Sequence, residues 1–147
     1  MWKKEYSLLL SKICTVVAIA ALAGILAGAP WLFSFMREKL AFNQYAACMT
    51  VGYAVGFILC FALVRLYALL RNIGKEKVFT AANTAHIRAV SWCCWAAALI
   101  LLVGSFSCHL VVLVLSLAAA FAGLVLRVMK NVFAEAVAIK EEHDYTI

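Results

Sequence analysis

The sequence is short of charged side chains: 14% of its 147 residues are Asp, Glu, Lys or Arg, and 67% are hydrophobic. A typical soluble domain has roughly 25% charged and about 45 to 50% apolar residues. Because so few charges cannot cover the surface of a water-soluble core, a soluble globular fold is excluded. The sequence predicts a protein whose main solvent is lipid.

Acidic residues are scarce, and none of them interrupts an apolar stretch. The seven acids are Glu5, Glu38, Glu76, Glu135, Glu141, Glu142 and Asp144. A coupled transporter or proton relay normally places an ionisable residue in the middle of the membrane. The distribution of acids therefore argues against a small multidrug exporter, whose mechanism depends on an acid inside its first helix.

Motifs for catalysis, redox chemistry and metal binding are also missing. The six cysteines include no Cys-x-x-Cys pair, since Cys93 and Cys94 are adjacent and point about 100° apart on a helix. Two of the three histidines are predicted at opposite faces of the membrane, where they cannot share an ion. We expect no enzyme, no cofactor and no metal site. Cys48 and Cys108 are both predicted near the outer face, and the sequence does not decide whether they form a disulfide.

Two apolar stretches in the first half are long enough to cross the bilayer. A span of the hydrocarbon core needs roughly 20 apolar residues in a helix. The stretches are 8–29, interrupted only by Lys12 near its start, and 45–64. The Lys12 ammonium can extend back to the lipid headgroups. We expect Pro30 and Trp31 to end and anchor the first helix.

The second half contains a much longer charge-free stretch. No charged side chain occurs in the 38 residues between Arg88 and Arg127, nearly twice the length of one span. The stretch must fold back, and the small and polar residues 104–109 are the expected corner. This gives spans at 89–104 and 110–126. We predict an all-α polytopic membrane protein, a single four-transmembrane-helix bundle with cytoplasmic helical extensions.

The basic residues predict the orientation of these spans. Eleven of the 13 Lys and Arg residues lie in the termini and the second loop, and only Arg37 and Lys39 lie on the other side. Basic residues in short loops prefer the cytoplasm. We therefore expect both termini in the cytoplasm and the protein in the inner (plasma) membrane. Because there is no DNA-reading motif, the charge of +6 is interpreted as a topology signal and not as nucleic-acid binding.

Small residues recur four positions apart on three of the predicted helices. Helices in lipid associate through close contacts that small residues permit. Two interpretations stay open, packing within one bundle and a homo-oligomer. The three sets are Ala20, Gly24 and Gly28, then Gly52 and Gly56, then Ala119 and Gly123.

The segments outside the membrane have helical patterns of their own. Gly74 is expected to end the second helix, and the Thr80 hydroxyl to cap a helix that runs directly into the third span. Residues 127–147 form an amphipathic helix continuing from the fourth span. Its apolar face would rest on the membrane surface, the second loop or a bound protein, and consists of Met129, Val132, Phe133, Ala136 and Val137.

The tail 140–144 concentrates three of the seven acids. Acids are unfavourable at a helix C-terminus, where the macrodipole prefers cations. The helix therefore ends near this point, or its acids have basic partners. We hypothesise ion pairs between the second loop and the tail, for example Lys75 with Glu142; the alternative is a solvated tail with screened charges.

Three segments of the second half form a pattern that is shared with a known family. They are Leu66-Tyr67-Ala68-Leu69-Leu70-Arg71-Asn72-Ile73, Val78-Phe79-Thr80-Ala81-Ala82-Asn83 with Ile87, Arg88 and Trp92, and Val132-Phe133 through Ile147. They resemble the bacterial integral-membrane family called domain of unknown function 2975. The family typically has a Phe-Thr-x-x-Asn element before its third helix and an acidic tail ending in Leu-Thr-Ile. Here Tyr145 replaces that Leu, and Ala82 stands where an acid is frequent.

The resemblance implies a four-helix membrane protein of unknown biochemical role, often encoded beside a small helix-turn-helix regulator. We hypothesise that the second loop and the tail dock and sequester such a regulator in the cytoplasm. Basic residues would steer the partner, Phe79 would be an apolar anchor, and Thr80 would cap its helix. The candidate partner-binding site consists of Arg71, Lys75, Lys77, Phe79, Thr80, Asn83, Arg88, Glu141, Glu142, Asp144 and Thr146.

Two other functions are compatible with the sequence. The first is binding or transport of an apolar small molecule within the membrane. The second is a structural oligomer that uses the small-residue faces. The cleft required by the first would be lined by Trp92, Trp95, Phe57 and Phe61.

Overall fold

The computed structural model describes residues 4–37, 41–75, 80–107 and 110–146, and within these ranges its only regular structure is α-helix. All four helices are long and apolar enough to cross a membrane. The predicted all-α, four-span architecture is therefore confirmed. The helices are α1 (Lys4–Arg37), α2 (Phe42–Ile73), α3 (Ala81–Ser105) and α4 (Leu110–Tyr145).

The four helices form an open row in which each runs antiparallel to the next. Among the described residues, α1 contacts α2, α2 contacts α3, and α3 contacts α4, and no other pair of helices touches. The first and last helices of the row are therefore separated by the two middle ones. Both termini lie at the same end of the row.

Two serine hydroxyls join α3 to α4. The Ser91 Oγ donates to the Gly123 carbonyl at 2.9 Å, and the Ser116 Oγ donates to the Ala98 carbonyl at 2.8 Å. Both serines are buried. A buried hydroxyl without a partner is costly in an apolar medium, so these bonds specify which faces of the two helices meet.

Three glycines allow close helix contacts, one at each interface. A Cβ atom on Gly56 would lie 2.5 Å from Leu26 of α1, and one on Gly123 would lie 3.1 Å from the Trp95 ring of α3. A Cβ atom on Gly104 would lie 2.8 Å from Val51 of α2. Packing within one chain is therefore the role of Gly56 and Gly123. On α1, the corresponding Cβ positions of Gly24 and Gly28 meet nothing within 4 Å.

The expectation that Pro30 ends the first helix is wrong. The α1 helix continues through Pro30 and ends at Arg37. Proline lacks the N–H that would bond to the carbonyl four residues earlier, and its ring crowds that carbonyl, but both effects are local to one turn. A break would leave further backbone groups without partners in lipid, where no water replaces them, so the helix continues.

Two local expectations near the loops also need correction. Gly104 and Ser105 are the last residues of α3 and not part of the corner, because the tight contact of Gly104 with α2 requires the helix to continue. Thr80 precedes α3, but its hydroxyl makes no capping hydrogen bond. The Asn83 N–H, which that hydroxyl would cap, already donates to the Thr80 carbonyl at 3.0 Å. Gly74 does follow α2, as predicted.

Candidate functional site

We call the end of the row where α1 begins and α4 ends the basic end, because nine of the described Lys and Arg residues lie in the parts of the chain nearest to it. There α1 begins, α2 ends, α3 begins and α4 ends. An asparagine pair links α2 to α3 at this end: the Asn72 Nδ2 donates to the Asn83 Oδ1 at 3.0 Å. Asn83 is fully buried, with 0% of its surface exposed. The pair therefore fixes where the second loop leaves and returns.

Lys12 packs against the C-terminus of α2. Its Nζ lies 2.6 Å from the position a Cβ would take on Gly74, the residue after α2. The negative end of the helix dipole favours a cation at this place. The Lys12 side chain therefore places its ammonium group beside the C-terminus of α2. A side chain at position 74 would displace this ammonium group.

The C-terminal part of α4 packs against the first turns of α3. The two helices enclose an open groove of about 300 Å³, which we call the terminal groove, lined by Ala81, Thr84, Ala85, Arg88, Lys130, Ala134 and Val137. Of the predicted apolar face, Phe133, Ala136 and Val137 are half-buried. Met129 and Val132 stay 45% and 60% exposed. The exposed part of this apolar face is therefore narrower than predicted, because α3 covers part of the face.

The last turns of α4 continue beyond the residues that line the terminal groove. Val137 is the last residue of α4 that lines this groove. Residues 138–145 continue the helix after it for about 12 Å, at about 1.5 Å for each residue. Glu141 and Glu142 are exposed on this segment, which we call the acidic end of α4.

The structure brings together only some of the predicted partner-binding residues. Arg88 lines the terminal groove, while Arg71 and Lys75 are exposed where α2 ends. The Thr146 hydroxyl donates to the Glu142 carbonyl at the end of α4. The positions outside the described residues are Lys77, Phe79 and the side chain of Asp144.

The ion pair expected between Lys75 and Glu142 stays a prediction. Both side chains are exposed; Lys75 lies two residues after the end of α2, and Glu142 lies on α4. These two helices make no contact among the described residues. The disulfide between Cys48 and Cys108 also stays open, because Cys108 lies outside the described residues.

A second and more enclosed space lies between α3 and α4, next to the terminal groove. This cationic cavity has a volume of about 50 Å³ and is lined by Arg88, Ser91, Trp92, Trp95, Arg127 and Lys130. Arg88 and Lys130 line both spaces. The Arg127 guanidinium carbon lies 5.6 Å from the centre of the Trp92 ring, a distance at which a cation is attracted to the aromatic face.

An apolar groove of about 530 Å³ lies between α2 and α3 within the membrane-spanning region. This membrane groove is lined by Phe57, Ile58, Phe61, Ala89, Trp92, Cys93 and Ala96. The cleft predicted from the aromatic residues is therefore present for Phe57, Phe61 and Trp92. Trp95 does not line it, because its ring packs against Gly123 of α4. The Arg65 guanidinium carbon lies 4.9 Å from the centre of the Phe61 ring.

Four polar residues at these sites did not stand out in the sequence. Arg127 and Lys130 were used only to orient the protein, and Asn72 only as part of the family resemblance. His86 is the fourth: its Nδ1 is buried and has no hydrogen-bond partner among the described residues. The signal that points to Arg127 is its position at the end of the charge-free stretch, directly opposite Arg88 in an antiparallel hairpin.

The four antiparallel helices are each long and apolar enough to cross a membrane. This architecture is that of a polytopic α-helical membrane protein. The chain belongs to a family of proteins of unknown function, DUF2975, whose sequence model matches residues 5–147. The resemblance predicted from the second half is therefore confirmed, and it extends over the first two helices as well. No curated protein and no solved structure matches the chain.

Proposed function

We propose that this protein lies in the inner (plasma) membrane with both termini in the cytoplasm and holds a small helix-turn-helix regulator at the membrane. The observation that carries the proposal is the acidic end of α4, which continues the helix for about 12 Å after Val137 with Glu141 and Glu142 exposed. The role is non-enzymatic: the protein sequesters its partner.

The chemistry of the partner supports an acidic docking surface. Helix-turn-helix proteins bind DNA through basic side chains that neutralise phosphates and through a recognition helix in the major groove. A basic surface of this kind is attracted to the carboxylates of Glu141 and Glu142. A regulator held in this way cannot present the same surface to DNA, so docking and DNA binding exclude each other.

The terminal groove offers a second contact for the same partner. Its apolar residues Ala134 and Val137 lie one to two turns from the acidic end of α4. A helix of the regulator laid along α4 would reach both the carboxylates and this apolar patch. Peptide-recognition grooves commonly combine an apolar anchor with charged residues at the edge.

Co-sedimentation of the regulator with membranes tests this proposal. The regulator encoded beside the gene is co-expressed with the wild-type protein or with a variant that combines Glu141→Gln and Glu142→Gln. We expect the double variant to lower the association constant for the membranes at least about fivefold, and the membrane-bound fraction with it, since two ion pairs of roughly 0.5–1 kcal/mol each are lost. Expression of the regulator's target genes should change in parallel.

The matched control is Glu135→Gln, which removes an exposed acid from the same helix before the acidic end. It should leave the membrane-bound fraction unchanged. The proposal is wrong if the wild-type membranes do not retain the regulator. It is also wrong if the control releases as much regulator as the double variant.

The membrane groove supports a second candidate function, binding or transport of an apolar molecule between α2 and α3. The groove has about 530 Å³ of space and an almost entirely apolar lining, which suits a hydrocarbon chain or a small aromatic compound. Replacing Phe57 and Phe61 with Ala should abolish saturable binding of an apolar fluorescent probe. Unchanged binding would contradict this candidate.

A further inference from the structure

The cationic cavity collects positive charge without a counter-charge. Arg88, Arg127 and Lys130 all line it, and none of its described lining residues is acidic. Three neighbouring cations repel one another, and an anion bound among them relieves this repulsion.

One residue in the cavity wall carries a buried hydrogen-bond donor without a partner among the described residues. Trp95 lines the cavity, and the Trp95 Nε1–H is buried without a partner among the described residues. An indole N–H is a donor only, so an acceptor oxygen is the group that satisfies it. The Ser91 hydroxyl is already engaged with the Gly123 carbonyl. Positive charge and a free donor together favour an oxyanion.

The size and depth of the cavity narrow the choice of anion. Its volume of about 50 Å³ exceeds the roughly 10–15 Å³ that one water needs, so a tetrahedral phosphate group is a suitable size. Arg88 and Arg127 end the 38-residue charge-free stretch, so they lie where the hydrocarbon meets the headgroups. Lipid phosphates lie at this depth, and basic pockets between membrane helices bind anionic headgroups.

The neighbouring membrane groove favours a lipid over a free phosphate ion. Trp92 lines both the cationic cavity and the membrane groove, so the two spaces share this residue as a wall. One side of Trp92 is bounded by cations and the other by apolar side chains. This arrangement fits a molecule that has a phosphate at one end and a hydrocarbon chain at the other.

We propose that Arg88, Arg127 and Lys130 bind the phosphate of an anionic phospholipid whose acyl chain lies in the membrane groove. The lipid is a structural or regulatory ligand of the α3–α4 hairpin. The proposal does not rest on the docking of a regulator. It deepens the second candidate function, because it names the chemical class of the molecule in the membrane groove.

Tryptophan fluorescence provides the test, because two of the four tryptophans, Trp92 and Trp95, line the cavity. The full-length protein, with Trp2→Phe and Trp31→Phe, is purified and delipidated in a neutral detergent. It is titrated with dioctanoyl phosphatidylglycerol, with dioctanoyl phosphatidylcholine and with inorganic phosphate. We expect saturable binding of phosphatidylglycerol at least about tenfold tighter than phosphatidylcholine, and no response to inorganic phosphate in that range.

The charged residues are tested by substitution. The double variant Arg88→Gln with Arg127→Gln should weaken phosphatidylglycerol binding by about 100-fold, since a hydrogen bond to a charged group is worth about tenfold or more. Lys130→Gln, a milder change, should weaken it by about tenfold. The control, Arg37→Gln with Lys140→Gln, removes two exposed cations outside the cavity and should leave affinity unchanged. Circular dichroism verifies that all variants keep the wild-type helix content.

Four results would overturn the assignment. The first is equal affinity for phosphatidylglycerol and phosphatidylcholine, and the second is an equal loss of affinity in the control variant. The third is a response to inorganic phosphate at the same concentrations, which would make the ligand a free ion. The fourth is loss of binding after Phe57→Ala with Phe61→Ala but not after the cavity substitutions. That result would leave the second candidate function standing without an anion site.

Discussion

At the scale of single residues, a few buried polar groups hold an otherwise apolar protein in one arrangement. Asn83 is the most buried side chain described, and it accepts a hydrogen bond from Asn72 across the second loop. The Ser91 and Ser116 hydroxyls donate to backbone carbonyls between α3 and α4. Apolar contacts between these helices resemble contacts with lipid, so directional hydrogen bonds contribute much of the specificity.

A double-mutant cycle on the asparagine pair measures the contribution of its hydrogen bond. We expect Asn83→Ala to lower the free energy of unfolding in detergent micelles by about 1–2 kcal/mol, because the Asn72 amide loses its partner in a buried place. Asn72→Ala should cost less than Asn83→Ala, and the coupling energy should be about 0.5–1.5 kcal/mol.

Asn131→Ala is the control for this cycle, because Asn131 is exposed on α4. Its effect should stay within about 0.5 kcal/mol. A coupling energy of zero between the two asparagines would contradict a role for the pair in closing the second loop.

At the scale of helices, glycines set how closely the neighbours in the row approach. The residue facing each glycine determines how much a larger side chain is tolerated. Gly123 meets a rigid indole ring, Gly104 meets a β-branched valine, and Gly56 meets only the flexible end of a leucine. An indole ring and a β-branched valine move aside less easily than the end of a leucine, so the contacts at Gly123 and Gly104 are less tolerant than the contact at Gly56.

Gly123→Leu is expected to destabilise the protein, with a thermal midpoint several degrees lower in detergent. Overpacking of a tight contact costs typically about 1–3 kcal/mol. Gly24→Leu is the matched control, since a Cβ atom at this position on α1 meets nothing within 4 Å. Its midpoint should stay within about one degree of the wild type. Equal effects of the two substitutions would contradict the packing of α3 against α4 through Gly123.

At the scale of the whole molecule, the antiparallel row has consequences for topology and for interaction surfaces. Four spans bring both termini and the second loop to the same side of the membrane. The acidic end of α4, the terminal groove and the cationic cavity therefore share one end of the molecule. A cytoplasmic partner and a lipid headgroup would meet at Arg88, which lines both spaces between α3 and α4.

Cysteine labelling in a Cys-free variant tests this topology and the proposed orientation. Single cysteines replace the exposed residues Ser7, Lys75 and Glu141 at the basic end and Asn43 at the opposite end. A membrane-impermeant maleimide should label only the Asn43→Cys variant in cells with a permeabilised outer envelope. The other three should react only after the inner membrane is opened.

Labelling of the Lys75→Cys variant from outside would show that the orientation is inverted. Labelling of the Ser7→Cys and Glu141→Cys variants from different sides would contradict four spans. Unfolded protein is excluded as a cause by requiring each variant to keep the thermal midpoint of the Cys-free parent.

The number and approximate position of the helices were predictable because they depend on local properties. Crossing lipid requires a run of apolar residues, and such a run is read directly from the sequence. The predicted end of α1 at Pro30 was wrong because proline interrupts a helix less readily in lipid than in water, where water can bind the freed backbone groups. The predicted hydrogen bond of the Thr80 hydroxyl was wrong because the sequence indicates the N-cap position but not which backbone N–H groups of the first turn already have another acceptor.

The candidate sites were less predictable, because they depend on which helix faces meet. Trp92 and Trp95 are only three residues apart, yet Trp92 borders the membrane groove and Trp95 faces α4. Arg88 and Arg127 are separated by the longest charge-free stretch in the chain, yet they line one small cavity. Their convergence follows from the antiparallel pairing of α3 and α4, which the sequence predicted, and from its register, which it did not.

By itself, the sequence determined that lipid is the solvent, that four helices cross it and that both termini lie at one end. These properties follow from the positions of the charged residues and of the charge-free stretches. The free energy of transferring a segment from water to lipid depends on the residues of that segment alone, so it can be judged from the sequence. Only the tertiary structure decided that the helices form a row and that three cations surround one cavity. A lipid-facing surface and a packed surface are equally apolar in this protein, so hydrophobicity cannot distinguish them; glycine contacts and buried hydrogen bonds do.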